Sequence, residues 1–263
     1  MTRPPNAQAE HDPTGRWYKV RPDMLQRYDY DPSLTIWLPA VSTVLDVYQA
    51  PYLRDWYGRK GIQEAERIRD ETAAWGTQTH QLIKFIIQGN KVETWEGIPE
   101  PVRNGLRAWV RWNIATRFQP VITEQSVYSL KHNYAGTMDA AGYCRDVPGI
   151  ADWKTGNSYE VYPIDWLQLA AYWQAARETC PDLIHPKEAR LVILNRLTGD
   201  FREYRKNAKE MREAFNCWLA AYKVWRFLKK PTDEYLRDQA LKLQESQQEI
   251  TKEGGTLGKD EET

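Results

Sequence analysis

Hydrophobic and polar residues follow a helical period over much of the N-terminal half and a period of two in the middle of the chain. Helical spacing and capping residues predict helices that begin near Ser42, at Pro51 and at Arg59. The last of these runs to Gln88, with an interruption at Gly76. Later helices are predicted over 99–118, 163–179 and 209–229. Alternating or continuous apolar runs predict strands over 121–130, 136–144, 149–155, 189–196 and 201–204.

This order of elements is helices, three strands, a helix, one or two strands and a closing helix. It predicts an α/β fold with a central mixed β-sheet flanked by helices. A helical N-terminal region over 40–118 would precede an α/β core over 119–230, both within a single domain over 17–238. The two ends are polar, so we expect a disordered segment over 1–16 and a flexible tail over 239–263.

Composition excludes several classes of protein. The 263 residues contain no apolar run that approaches the ~18 residues of a membrane helix. The first residues lack the apolar stretch of a signal peptide, so we expect a cytoplasmic protein that contacts no membrane. Three scattered cysteines are too few for a disulfide framework or a four-thiolate cluster.

Charge is balanced overall, with 36 basic and 36 acidic residues, so any contact with nucleic acid must depend on local segregation of charge. The segment 101–118 has four basic residues and no acidic one, and 201–230 has nine basic residues against three acidic ones. Arg103, Arg107 and Arg111 lie four residues apart on one helix face, and we expect them to bind phosphates. The alternative is an ordinary solvated helix face.

Two aspartates stand inside predicted strands, where Asp is disfavoured. Asp152 and Lys154 are two residues apart, so they face the same side of their strand. The turn signal over 146–149 predicts a hairpin that brings Asp139 close to Asp152. Carboxylates and an ammonium on one sheet face are unfavourable unless a partner compensates them, as a divalent ion does. Because such an ion activates water and neutralises a phosphoryl oxygen, the cluster predicts phosphodiester hydrolysis.

Three segments of this chain resemble, in order and spacing, the motifs of the PD-(D/E)XK nuclease superfamily. The resemblance is to the RecB-like exonuclease branch in particular. The segments are Gly136-Thr137-Met138-Asp139, Asp152-Trp153-Lys154-Thr155-Gly156 and Gln168-Leu169-Ala170-Ala171-Tyr172. The branch includes phage exonucleases and the mitochondrial genome-maintenance exonuclease. His80 matches a histidine that the branch carries on an upstream helix. The resemblance covers His80 to Arg205 and implies a restriction-endonuclease-like core.

The resemblance also implies roles for the matching residues. The catalytic residues would be Lys154, Asp152, Asp139, Gln168 and Tyr172. The ligands of a Mg²⁺ or Mn²⁺ ion would be His80, Asp139, Asp152, the main-chain carbonyl of Trp153, and Glu124. Glu124 fits a solvent-facing strand residue equally well, and Thr155 would contact DNA. Some relatives hold an iron–sulfur cluster on four cysteines, and because this chain has three we expect no cluster.

These features together predict a metal-dependent DNA nuclease, bacterial or phage-encoded. The resemblance favours an exonuclease that acts in recombination, repair or phage DNA processing. Its partners would be DNA that is single-stranded or has a free end, and a recombination or single-strand-binding protein. Two alternatives stay open: a structure-specific or single-strand DNA endonuclease, and a non-catalytic DNA-binding module that retains the fold.

Overall fold

A computed structural model describes residues 8–12, 15–20, 36–48, 51–181 and 184–228, so the tail predicted over 239–263 lies outside the described residues. The strands are β1 (Gln8–Asp12), β2 (Gly15–Val20), β3 (Ile36–Pro39), β4 (Phe118–Ser129), β5 (Tyr134–Cys144), β6 (Val147–Gly156), β7 (Glu188–Asn195) and β8 (Phe201–Asn207). The helices are α1 (Val41–Leu45), α2 (Pro51–Lys60), α3 (Ile62–Ile87), α4 (Glu100–Thr116), α5 (Pro163–Thr179) and α6 (Ala208–Leu228). None of these helices is long and apolar enough to cross a membrane.

Five strands form the central sheet in the order β4-β5-β6-β7-β8. Neighbouring strands are antiparallel except β6 and β7, which run parallel with Asp152 opposite Leu191. Helix α5 joins these two strands, because parallel strands need a crossover connection. Every residue of β7 except Glu188 is buried, as in a strand with helices on both faces. The predicted α/β fold with a central mixed sheet flanked by helices is therefore confirmed.

The pleat of the sheet divides its side chains between two hydrophobic cores. Ile150 and Leu191 belong to the core that contains residues of α5 and α6. Trp153 belongs to the core that contains residues of α3 and α4, where it makes edge contacts with Trp109 and Trp112 at centroid distances of 6.1 and 6.0 Å. These tryptophans fill the core and place α3 and α4 against the sheet.

The N-terminal segment forms a second sheet that the sequence pattern does not predict. Strands β1, β2 and β3 pair antiparallel in that order. The expectation of a disordered segment over 1–16 is therefore wrong for 8–12 and for 15–16. Tyr18 and Val20 of β2 are buried in a third core with residues of β4 and β5. This burial against strands that are remote in sequence stabilises the small sheet, and no local pattern reveals it.

Helix α3 is continuous through Gly76, where the sequence pattern predicts an interruption. A Cβ atom at Gly76 would lie 3.2 Å from Thr155 Oγ1 on β6. The missing side chain therefore lets α3 approach the sheet closely. This approach matters for the site described below, because His80 follows Gly76 by one helical turn.

We expect Gly142→Ala to destabilise the protein. A Cβ atom at Gly142 would lie 2.2 Å from the main-chain oxygen of Gln119 and 2.8 Å from Pro120 Cα on the neighbouring strand, so main chain would have to move. Overpacking of this kind costs about 1–3 kcal/mol, which should lower the midpoint of urea unfolding.

Gly58→Ala is the matched control, because no atom of the described residues lies within 4 Å of a Cβ atom at Gly58 in helix α2. That substitution should leave stability unchanged or raise it by about 0.5–1 kcal/mol. Equal unfolding midpoints for Gly142→Ala and the wild type would contradict the packing of β4 on β5.

Candidate active site

The two strands of the β5–β6 hairpin diverge at Asp139 and Asp152. Pairing between the strands ends at Ala140 and Ala151, and the next residues outward are Asp139 and Asp152. Asp139 Oδ2 accepts a hydrogen bond from the main-chain N–H of Trp153 at 2.8 Å. The carboxylate thus takes the place of a strand partner, and the two aspartates lie side by side at the open end of the hairpin.

Glu124 reaches the same place from strand β4. Thr123 pairs with Ala140, and this register sets Glu124 opposite Asp139. The φ of Glu124 is 46°, in the left-handed region that residues with a side chain rarely adopt. Such a conformation costs about 1–3 kcal/mol and persists where the surroundings impose it, often at functional sites. Its main chain therefore distinguishes Glu124 from an ordinary strand residue.

Helix α3 adds an imidazole to these carboxylates. His80 Nδ1 lies 3.3 Å from Asp139 Oδ1 and 3.8 Å from Glu124 Oε1. The ligand atoms of the three residues all lie within 4.8 Å of one another. The His80 ring also makes an edge contact with Trp153, with centroids 6.3 Å apart, which holds the imidazole against the sheet. One imidazole and two carboxylates at this spacing can hold a divalent metal ion.

A line of polar contacts runs from Asp152 to helix α5. Lys154 Nζ lies 2.9 Å from Asp152 Oδ2 and donates a hydrogen bond to Gln168 Oε1 at 2.8 Å. Gln168 Nε2 donates in turn to the Tyr172 hydroxyl at 2.9 Å. Gly136 leaves room for the tyrosine ring, because a Cβ atom there would lie 2.3 Å from Tyr172 Cε1. The two residues of α5 therefore orient the ammonium of Lys154.

Burial and charge together set the protonation of the cluster. Burial raises the pKa of Asp152 to about 6, although Lys154 lowers it, and Asp139 adds to the rise. Burial also acts to raise the pKa of Asp139, but the charge and hydrogen bond of His80 outweigh it and hold this pKa below its usual value. Burial lowers the pKa values of His80 and Lys154, yet the neighbouring carboxylates reverse the effect and raise both. Without a metal ion, an imidazolium and an ammonium therefore lie against the carboxylates of the cluster.

The donor atoms fit a divalent metal ion. Asp152 is only 3% exposed, and within the described part of the chain its Oδ2 receives no hydrogen bond of good geometry. A buried carboxylate oxygen in that state is unfavourable unless cations compensate it. Lys154 supplies one positive charge, and an ion held by the group of His80, Glu124 and Asp139 would supply more.

The three arginines predicted to bind phosphates, Arg103, Arg107 and Arg111, do not line the pocket that holds this cluster. Arg111 forms an ion pair with Asp200, which lies between β7 and β8. Arg107 Nη1 donates a hydrogen bond to Asn104 Oδ1 at 2.6 Å, and Arg103 is exposed. Helix α4 thus uses two of its arginines in contacts within the protein, and the proposed DNA contact of this face stays a prediction.

Two further predictions concern strand β6. Thr155 lies against α3 at Gly76, which places its hydroxyl beside that helix. The indole of Trp153 is buried in the core, and the main-chain N–H of this residue donates to Asp139 Oδ2. A DNA contact by Thr155 and a ligand role for the carbonyl of Trp153 remain predictions.

The cluster lines a pocket of about 540 Å³. Two further cationic residues in its wall, Arg16 and Lys84, are not predicted from the sequence. Arg16 comes from β2. Its Nε is buried without a hydrogen-bond partner among the described residues, and its Cζ lies 5.1 Å from the centre of the Tyr18 ring. Lys84 comes from α3, and its spacing of four residues from His80 was the available signal. Arg16 had no such signal, because its position depends on the N-terminal sheet.

Comparisons with known proteins give distant likenesses. No protein-family model and no curated protein matches the chain. A solved structure of a protein named SSO0001 is 14% identical, over 67% of this chain and 74% of its own, with a TM-score of 0.32. An alkaline exonuclease from Laribacter hongkongensis, LHK-Exo, is 14% identical, over 74% of this chain and 93% of its own, with a TM-score of 0.34. LHK-Exo in complex with dAMP is 15% identical, over 78% and 94%, with a TM-score of 0.39. Likeness at this level assigns neither a family nor an activity.

Proposed function

We propose that this protein is a metal-dependent nuclease that hydrolyses phosphodiester bonds in DNA. The observation that carries the proposal is the convergence, in one pocket, of the ligand group of His80, Glu124 and Asp139 with the pair of Asp152 and Lys154. Phosphodiester hydrolysis needs an activated water and positive charge on the phosphoryl oxygens. The pocket brings together residue types that can supply both.

Mg²⁺ or Mn²⁺ is the ion that we propose. His80, Glu124 and Asp139 would hold it, with Asp152 beside them and the carbonyl of Trp153 as a further ligand. Carboxylate and carbonyl oxygens suit both ions. When bound, such an ion lowers the pKa of a water molecule and polarises a phosphoryl oxygen.

Lys154 supplies positive charge where negative charge develops on the phosphoryl group. Its ammonium is fixed by Asp152 Oδ2 at 2.9 Å and by Gln168 Oε1 at 2.8 Å. A charge that is already in position needs little reorganisation during the reaction, which is the main source of electrostatic stabilisation in enzymes. Gln168 and Tyr172 support Lys154, because their hydrogen bonds hold it in place.

DNA phosphates are the anions that we propose for the remaining positive charges of the pocket. Arg16 and Lys84 line the same pocket as Lys154. Arg16 is half-buried in the pocket wall, and a phosphate beside it would compensate the charge of its guanidinium group. These two residues would position the strand, since contacts to phosphate fix register and do not read sequence.

Among nucleases we propose an exonuclease, and the support for this choice is the order of motifs, which resembles the RecB-like branch. An endonuclease uses the same chemistry and remains the alternative within enzymes. A DNA-binding module without activity is the alternative of another class. The intact pair of Asp152 and Lys154 argues against it, because a buried charged cluster is costly to retain without a use.

We expect Asp139→Asn to weaken Mn²⁺ binding by at least about tenfold, because the change removes the charge of a ligand that contacts His80. Isothermal titration calorimetry of the purified protein measures this directly. Glu93→Gln is the control, since it removes an exposed carboxylate that does not line the pocket. Equal affinity of Asp139→Asn and the wild type for Mn²⁺ would contradict the ligand assignment.

We expect Lys154→Ala to reduce DNA cleavage by about 10²–10³-fold, the effect of losing one preorganised group that stabilises transition-state charge. End-labelled linear and closed circular single-stranded DNA, incubated with Mg²⁺, Mn²⁺ or EDTA, provide the assay. Lys131→Ala removes an exposed lysine outside the pocket and should cleave like the wild type.

The two substrates also separate the alternatives. Metal-dependent degradation of linear DNA alone is the result expected for an exonuclease, because an exonuclease needs an end. Cleavage of the circle would replace that choice with an endonuclease. Full activity of Lys154→Ala would contradict the site, and Mn²⁺ binding by the wild type without cleavage of either substrate would favour the binding module.

A further inference from the structure

A second pocket adjoins the candidate active site. Its volume is about 510 Å³, within the range of about 300–1,000 Å³ that is typical of small-molecule sites. Residues of α1, α2 and α5 line it, together with Asp46 and Tyr48, which follow α1. The two pockets share Gln168, whose Oε1 accepts the hydrogen bond from Lys154 at 2.8 Å. A group bound at Lys154 therefore has the second pocket beside it, separated by one side chain.

The walls of this second pocket are apolar and its edges are polar. Leu45, Leu53 and Ile164 supply aliphatic surface, and Ser42 supplies a hydroxyl group. Leu53 and Tyr48 are 44% and 41% exposed, so a large part of their apolar surface faces solvent. Exposed apolar side chains that converge on a concave surface, with a few polar groups among them, are typical of a ligand site.

We propose that this pocket binds the base of the nucleotide whose phosphate lies at Lys154, an inference that rests on the proposed function. A base is a flat ring with apolar faces and polar edges, which matches aliphatic walls, a tyrosine ring and nearby hydroxyl and amide groups. In a nucleotide the base lies one sugar away from its phosphate, and the pocket lies one side chain away from Lys154. Arg54 also lines this pocket; its side chain is 87% exposed and its Nε lies 3.9 Å from Asp55 Oδ1.

Such a site would detect the presence of a base more than its identity. Stacking and contact with aliphatic walls accept all four bases, because each has apolar faces. A base bound beside Gln168 would hold its phosphate at a fixed distance from Lys154. Such positioning of the reacting groups increases the rate of the chemical step by a large factor. The second pocket would therefore act as a positioning site for the scissile nucleotide.

Oligonucleotides that carry one abasic nucleotide at successive positions test this site. Binding is measured by fluorescence anisotropy in EDTA, so that the result does not depend on cleavage, and cleavage is measured separately with Mn²⁺. We expect the wild type to bind one oligonucleotide of the series about tenfold more weakly than the others, namely the one whose abasic nucleotide occupies the second pocket. A loss of this size corresponds to one missing base–aromatic contact. Tyr48→Ala should bind intact DNA about tenfold more weakly and lose this position effect, whereas Tyr48→Phe should behave like the wild type.

Val147→Ala is the matched control. Val147 is 40% exposed, close to the value for Tyr48, and it lies at the turn end of the hairpin of β5 and β6, outside both pockets. It should keep the affinity and the position effect of the wild type.

Failure of the base site and failure of the proposed function give different results. Equal affinity of the wild type for every abasic oligonucleotide, or an unchanged position effect in Tyr48→Ala, would overturn the base site even in an active nuclease. A position effect that depends on Tyr48 in a protein that cleaves no DNA would support the base site and overturn the nuclease.

Discussion

Glu124, Asp139 and Asp152 bring three carboxylates into one partly buried pocket, and the surrounding structure must compensate for that charge. Two like charges 4 Å apart repel by about 4 kcal/mol at an effective dielectric constant of 20, so the group is unfavourable without cations. His80 lies 3.3 Å from Asp139, and Lys154 lies 2.9 Å from Asp152. One imidazolium and one ammonium contact these three carboxylates, and Arg16 and Lys84 line the wall of the same pocket. A divalent ion held by the carboxylates would compensate them further, which connects the stability of the site to its chemistry.

The elements around the cluster meet there because small residues permit close approach. Gly76 lets α3 reach β6, which sets the imidazole of that helix beside the carboxylates, and Gly136 leaves space for Tyr172 of α5. The N-terminal sheet contributes Arg16, whose main-chain N–H donates to Thr43 Oγ1 at 2.9 Å. Helix, central sheet and N-terminal sheet therefore converge on one pocket, and the central sheet contributes residues to all three hydrophobic cores.

Local patterns in the sequence predict the parts of this arrangement that depend on neighbouring residues. Strand periodicity and the turn over 146–149 predict the hairpin that joins the two aspartates, because hairpin pairing is set by residues close in sequence. Long-range packing is not visible in this way. Arg16 enters the pocket through a sheet that is stabilised by distant strands, and Arg111 pairs with an aspartate that lies 89 residues away. Helical spacing shows which side chains share a face, and it does not show what that face contacts. For His80, only the resemblance of the surrounding motifs indicates a role at the site.

Anomalous scattering from crystals grown with Mn²⁺ would locate the ion without reference to activity. We expect an anomalous peak at coordination distance from His80, Glu124 and Asp139, with Asp152 beside it and the contact between His80 and Asp139 replaced by contacts to the ion. A peak elsewhere, or no peak at saturating Mn²⁺ with that contact intact, would show that these residues do not hold the metal. The cluster would then be a buried network of ion pairs.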